Sequence, residues 1–288
     1  MMPLTQSVER VGFTWSFEPG IVVPLIVLGV WYARGAYVLR SRSGHAPRGT
    51  SIAAFTAGWL TLVLALVSPV HEISEQLFSM HMVQHELLMA LAAPLLVAAR
   101  PGPALLWALR PRARKALARV VRSGPISRTW RALTAPVAAW LVQGIVIWAW
   151  HIPALFEATL RSDAVHAVQH VAFLGSAITF WWSIVHGRRA TRGLAILSLF
   201  TTAVHTGVLG ALMTFARTPW YPAYGAGPAA WGLTPIADQQ LAGLIMWIPA
   251  SLAYLVATLS TAYQWLRESE WEVSETERKR AAFAPVVH

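Results

Sequence analysis

Seven predominantly apolar stretches constrain this chain most, because each is about 20 residues long, the length a helix needs to cross the hydrocarbon core of a bilayer. They run Pro19–Leu39, Ser51–Pro69, Leu77–Ala98, Leu133–Leu155, Val165–His186, Thr191–Phe215 and Asp238–Trp265. Lipid offers no partner to a backbone N–H or C=O, so stretches of this kind fold as helices that satisfy themselves. The expected architecture is all-α, a polytopic membrane protein with a seven-transmembrane-helix bundle. It is read as a single integral membrane domain over 1–288, with 266–288 as a tail that looks like a frayed helix from Glu268. Composition agrees: 56% of residues are hydrophobic and 12% charged, with 15 tryptophans. The first twenty residues are polar and mixed, without the basic start, short apolar core and small-residue cleavage site of a signal peptide.

The formal net charge of +10 is a statement about topology rather than about nucleic acid. Arg34, Arg40, Arg42 and Arg48 flank the first connection, and nine basic residues between Arg100 and Arg131 fill the third. Arg188, Arg189 and Arg192 make the fifth, and Arg267, Arg278, Lys279 and Arg280 follow the last span, leaving only Arg10, Arg161 and Arg217 opposite. Basic connections stay in the cytoplasm, so the N-terminus is expected outside and the C-terminus inside. Nucleic-acid binding is not expected, and membrane lipid is the natural partner of Ala113–Val121, which reads as a basic amphipathic helix on anionic head groups. Its alternative is a solvated loop that only sets orientation. The connection Ala216–Ala237, rich in Pro, Gly and aromatics, reads as an irregular lid over the outer helix ends.

Within this frame the polar residues in lipid carry the functional signal, since each is expensive there unless partnered. Met80–Met89 reads Met-His-Met-Val-Gln-His-Glu-Leu-Leu-Met, and His81 and His85, four apart, share one helix face. His166 and His170 repeat the spacing at the outer start of the fifth span. His151 lies one turn from the outer end of the fourth, and His205 is nearer the midplane in the sixth. His71 falls outside, while His45, His186 and His288 sort to the cytoplasmic side. With no cysteine in the chain, metal ligands are limited to His, Met and carboxylates. Imidazole accepts Zn, Cu, Fe or Ni, and thioether from Met80, Met82 or Met89 moves the preference towards Cu(I). Haem held by two facing histidines is an alternative, and helix-to-helix hydrogen bonding with no metal is another. Gln84, Gln169, Gln239 and Gln240 are placed as outer hydrogen-bond partners. Glu86, one residue past His85 and 100° round the helix, reads as a neutral acid or a metal-bound carboxylate.

Five ordered motifs carry a family resemblance. They are Ser79-Met-His-Met-Val-Gln-His85 leading to Pro94-Leu-Leu-Val97; Trp150-His-Ile-Pro-Ala-Leu155; His166-Ala-Val-Gln-His170 followed by Phe180-Trp-Trp182; Pro219-Trp-Tyr-Pro222; and the run Ala237–Pro249 containing Asp238-Gln-Gln240. With these the sequence resembles the polytopic CtaG family of cytochrome c oxidase assembly factors, associated with caa-type oxidases. The resemblance implies a bacterial plasma-membrane protein, not an enzyme, that helps a haem–copper oxidase subunit mature by assisting copper delivery. By position, His81, His85, His151, His166, His170 and Asp238 match the motif polar residues and become the candidate metal ligands, with Met82, Glu86 and His205 as further candidates. Glu86 departs from the pattern, where an apolar residue is expected.

Overall fold

The computed structural model describes residues 14–43 and 46–282. Arg10, His45 and His288, placed by side above, lie outside the described residues. The described residues are helical throughout, without a strand. Six helices are long and apolar enough to cross a membrane: Pro19–Arg42, Gly49–Leu66, Phe78–Ala99, Asp163–Val185, Arg189–Thr214 and Pro235–Trp271. The expected seventh, Leu133–Leu155, corresponds to the 15-residue helix Pro136–Trp150, joined to Gly124–Leu133 at a 70° bend; counted as one broken span, the pair brings the number to seven. Prolines at 136 and 153 bound it, each fit for a first turn and unable to continue a preceding helix. At 1.5 Å per residue it is roughly 22 Å long, short of a full hydrocarbon core.

We label the helices α1 (Pro19–Ser43), α2 (Gly49–Leu66), α3 (Pro69–Ser74), α4 (Phe78–Ala99), α5 (Gly102–Trp107), α6 (Pro111–Val121), α7 (Gly124–Leu133), α8 (Pro136–Trp150), α9 (Pro153–Arg161), α10 (Asp163–Val185), α11 (Arg192–Thr214) and α12 (Pro235–Ala282). The last runs through Glu268, where the sequence reads as the start of a frayed helical tail, and continues to Ala282. In the basic connection, α6 contains the expected helical segment Ala113–Val121 and α7 follows it, and neither buries a residue. Arg34, at the end of the first span, donates to the Ala108 carbonyl at 3.2 Å and so holds the end of α5.

Helix α4 is the axis of the bundle, and its middle, Leu87–Ala92, widens into π-helical turns. Pro94 is the cause. Its ring would clash with the preceding-turn carbonyl of an α-helix, and the wider turn relieves that contact. In the wide pattern Ala93 N–H reaches Leu88 O, and the next bond, to Met89 O, has no donor because residue 94 is proline. The indole N–H of Trp181 on α10 takes that carbonyl at 2.8 Å. The α11–α12 crossing is close for a different reason. Gly210 and Gly243 face each other so tightly that a Cβ on either would sit under 3 Å from the other's carbonyl oxygen, a small-residue contact of the kind membrane helices use. Apolar side chains such as Val171, Phe200, Phe215 and Leu259 face outwards, as expected where lipid is the solvent.

Candidate metal site

Six of the histidines gather at one end of the bundle. His81 and His85 come from α4, His166 and His170 from α10, His151 from the residue that ends α8, and His71 from α3. All six are at most 8% exposed. Ring centres are 4.4 Å apart for His81–His85, 4.3 Å for His166–His170, 5.1 Å for His81–His166, 5.8 Å for His85–His170 and 6.4 Å for His85–His151. Two imidazoles on one ion, with metal–nitrogen bonds of about 2.0 Å, place their ring centres roughly 5–6.5 Å apart. The inter-helix distances therefore already fall in the range of shared coordination. One nitrogen from each of His81, His166 and His170 lies within 4.8 Å of the others. Phe78, Phe156 and Phe173 are fully or almost fully buried and pack around these rings.

The hydrogen bonds sort the imidazoles by availability. His81 has both nitrogens engaged, Nε2 with Gln169 Oε1 at 3.2 Å and Nδ1 with the Tyr224 hydroxyl at 3.3 Å, so ligation there exchanges a hydrogen bond for a metal bond. His151 Nδ1 donates to the Ile147 carbonyl at 2.7 Å. That bond assigns the proton to Nδ1 and leaves Nε2 with a free lone pair, the arrangement that prepares a ligating histidine. Both nitrogens of His85, and the Nε2 atoms of His151, His166 and His170, are buried with no hydrogen-bond partner. Buried polar atoms without a partner are uncommon in proteins and cost free energy. The cluster fits a metal ion that imidazole accepts.

The other candidates fall elsewhere. Asp238 accepts from Phe78 N–H at 2.7 Å through one oxygen, and from Ser79 N–H at 3.1 Å and the Ser79 hydroxyl through the other. It caps the start of α4 from across the bundle and does not join the imidazoles. Glu86 lines an apolar groove of about 630 Å³ between α4 and α12, with Val83, Leu87, Ile245 and Pro249, because its position turns it away from the His85 face. His205 accepts from the Trp148 indole at 3.4 Å between α8 and α11 and makes no ring contact with the six. Met82 is 2% exposed and packs in the core with Phe78 and Met89.

His71 was the member not chosen from the sequence, since it precedes the third span and lacks the four-residue partner of the other pairs. Its ring stacks on His166 at 5.7 Å. Gln84 donates to both the Ala65 carbonyl at 2.8 Å and His71 Nδ1 at 3.0 Å. A carbonyl only accepts, so the Gln84 amide is oriented, and the His71 proton is assigned to Nε2. The connection between α11 and α12 closes the site as a lid: Tyr221 donates to the His151 carbonyl at 2.8 Å, and Tyr224 reaches Ser74 O at 3.3 Å. Burial pushes the pKa of both phenols well above the ordinary tyrosine value, so they remain neutral donors.

A sequence model described as cytochrome c oxidase caa3 assembly factor matches residues 30–268, which contain every histidine of the cluster. The chain belongs to that family. Uncharacterised proteins of Mycobacterium bovis and Mycobacterium tuberculosis are each 28% identical to it, over 96% of this chain and 43% of the relative. One of Mycobacterium leprae is 26% identical over 93% of this chain and 42% of its own length. The chain thus spans less than half the length of these curated relatives. No solved structure matches it.

Proposed function

We propose that this protein carries copper as cargo at the imidazole cluster and presents it to a cytochrome c oxidase subunit during assembly of the oxidase. The observation that carries the reading is the set of unpartnered imidazole nitrogens on His85, His151, His166 and His170, buried together where three helices meet. Without an ion these atoms are a standing cost; with one they become ligands. Family membership supports the oxidase as the destination. Imidazoles packed this closely, sealed by phenylalanines, favour a bare ion over haem, whose flat ring has to enter between two of them. The protein then catalyses no reaction of its own; ligand exchange is its chemistry.

The basic connections support an orientation with the cluster on the outer side of a bacterial plasma membrane, from which copper reaches it without crossing the bilayer. Retention of Cu(I) after anaerobic loading and desalting tests the reading. Wild-type protein is expected to keep copper in defined stoichiometry, and a His85→Ala/His170→Ala variant to keep at least about tenfold less. Equal copper in both, or none in either, overturns it.

A further inference from the structure

The end of the bundle that holds the imidazoles also gathers carboxylates, although the chain as a whole is strongly basic. Glu18 lies in the segment before α1, which is pinned to the end of α2 by Ser16 N–H on Val67 O at 2.9 Å. Glu72 and Glu75 lie on and just after α3, and Asp163 opens α10 one turn before His166. Glu75 and Asp163 are exposed and Glu72 half-buried. Among the described residues no Lys or Arg forms an ion pair with any of the four, whereas Glu157 on the same end is neutralised by Arg161 at 2.7 Å. Glu75 registers the crowding. Its carboxyl is pushed above its usual range by partial burial first and by Glu72, Glu18 and Asp163, with His71 opposing.

Two observations beyond the carboxylates point to a cation. First, the His71 side chain, 4% exposed, has its Nε2 edge 3.8 Å from Glu18 Oε1. That gap is too long for a hydrogen bond but matches two donor atoms on one ion, whose bonds of about 2.0–2.2 Å each allow roughly 3–4 Å between them. Second, His166 Nε2 is buried without a partner on a ring that stacks on His71 at 5.7 Å. We infer that Glu18 and His71 form a capture site for a metal cation, fed by the acidic rim of Glu72, Glu75 and Asp163, and that His71 passes the ion to the His166–His170 pair. The inference rests on the copper reading of the cluster and adds its mouth. Binding at Nε2 takes the neutral tautomer protonated on Nδ1, so the His71 proton shifts from Nε2 to Nδ1 and Gln84 Nε2–H keeps only the Ala65 carbonyl. From His71 inward, no step between neighbouring ring centres exceeds 6.5 Å as far as His151.

Stopped-flow mixing of purified protein with Cu(I), followed by tryptophan quenching at low and high concentrations of a non-coordinating salt, tests this. The rim variant Glu72→Gln/Glu75→Gln/Asp163→Asn, which leaves Glu18 and His71 in place, is expected to take up copper about tenfold more slowly at low salt, to approach the wild-type rate at high salt, and to reach the same final stoichiometry. The single exposed substitution Glu75→Gln gives a smaller change of the same sign and guards against misfolding of the triple variant. His71→Gln slows uptake at every salt concentration. Equal rates and equal salt dependence in wild type and carboxylate variants overturn the capture site while leaving the cluster intact. Failure of wild-type protein to take up copper overturns both.

Discussion

A carboxylate that accepts three hydrogen bonds from the start of one helix has its lone pairs spent, and Asp238 stands in that position against Phe78 and Ser79. His151 is the reverse case, with one nitrogen tied to its own helix and the other free. Residue type alone does not separate these two, because both are polar groups near the outer end of a span; the direction of their hydrogen bonds does. Asp238→Ala leaves two buried N–H groups unpaired and is expected to destabilise the protein by about 2–3 kcal/mol, read as thermal unfolding in detergent, with no change in copper stoichiometry. A loss of copper from a still-folded Asp238→Ala variant would make it a ligand instead. Glu75 gives a prediction of opposite sign. Its folded pKa lies above its unfolded value, so its contribution to stability is present at low pH and lost as pH rises through the folded pKa. Glu75→Gln is therefore expected to raise the unfolding temperature at pH 7–8, an advantage that shrinks on acidification below the ordinary carboxylate range. An advantage that is independent of pH contradicts the like-charge account.

At the scale of elements, the helices were legible wherever the apolar run was long and uninterrupted, since lipid leaves the backbone no other choice. The two four-residue histidine pairs were legible as well, because helix periodicity alone puts each pair on one face. What was hidden depends on contacts between elements. The 70° bend before α8 needs the prolines at 136 and 153 to be weighed against an otherwise continuous apolar pattern. His71 lies on a six-residue helix too short to show periodicity, and it meets His166 only because α3 packs beside α4 and α10. The wide turn in α4 is hidden in the same way: Pro94 is visible in the sequence, but the rescue of the Met89 carbonyl by Trp181, 92 residues away, is not. Trp181→Phe keeps the ring and removes the donor. It is expected to cost about 1–3 kcal/mol of stability, and Trp181→His, which restores an N–H, to recover part of it. Wild-type unfolding temperature in the Phe variant would show that the freed carbonyl finds another donor.

For the whole molecule the central relation is between its two ends. One carries nearly all the arginines, with α6 and α7 between them; the other carries the imidazoles and four carboxylates that, among the described residues, pair with no Lys or Arg. A membrane potential and an anionic inner leaflet both favour the arginine end inside, so the orientation we propose has the acidic end outside. The absence of cysteine makes this directly measurable. In intact cells a membrane-impermeant maleimide is expected to label Thr218→Cys, beside the lid, and to spare Ala113→Cys on α6 until the cells are opened; the reverse pattern inverts the topology. The claim that the imidazoles bind the cargo is tested most directly by X-ray absorption at the copper edge on Cu(I)-loaded protein. Nitrogen scatterers near about 2.0 Å, with the multiple scattering of at least two imidazole rings, diminished in His85→Ala/His170→Ala, are the predicted result. A spectrum with no imidazole contribution, or one identical in wild type and variant, would contradict the account.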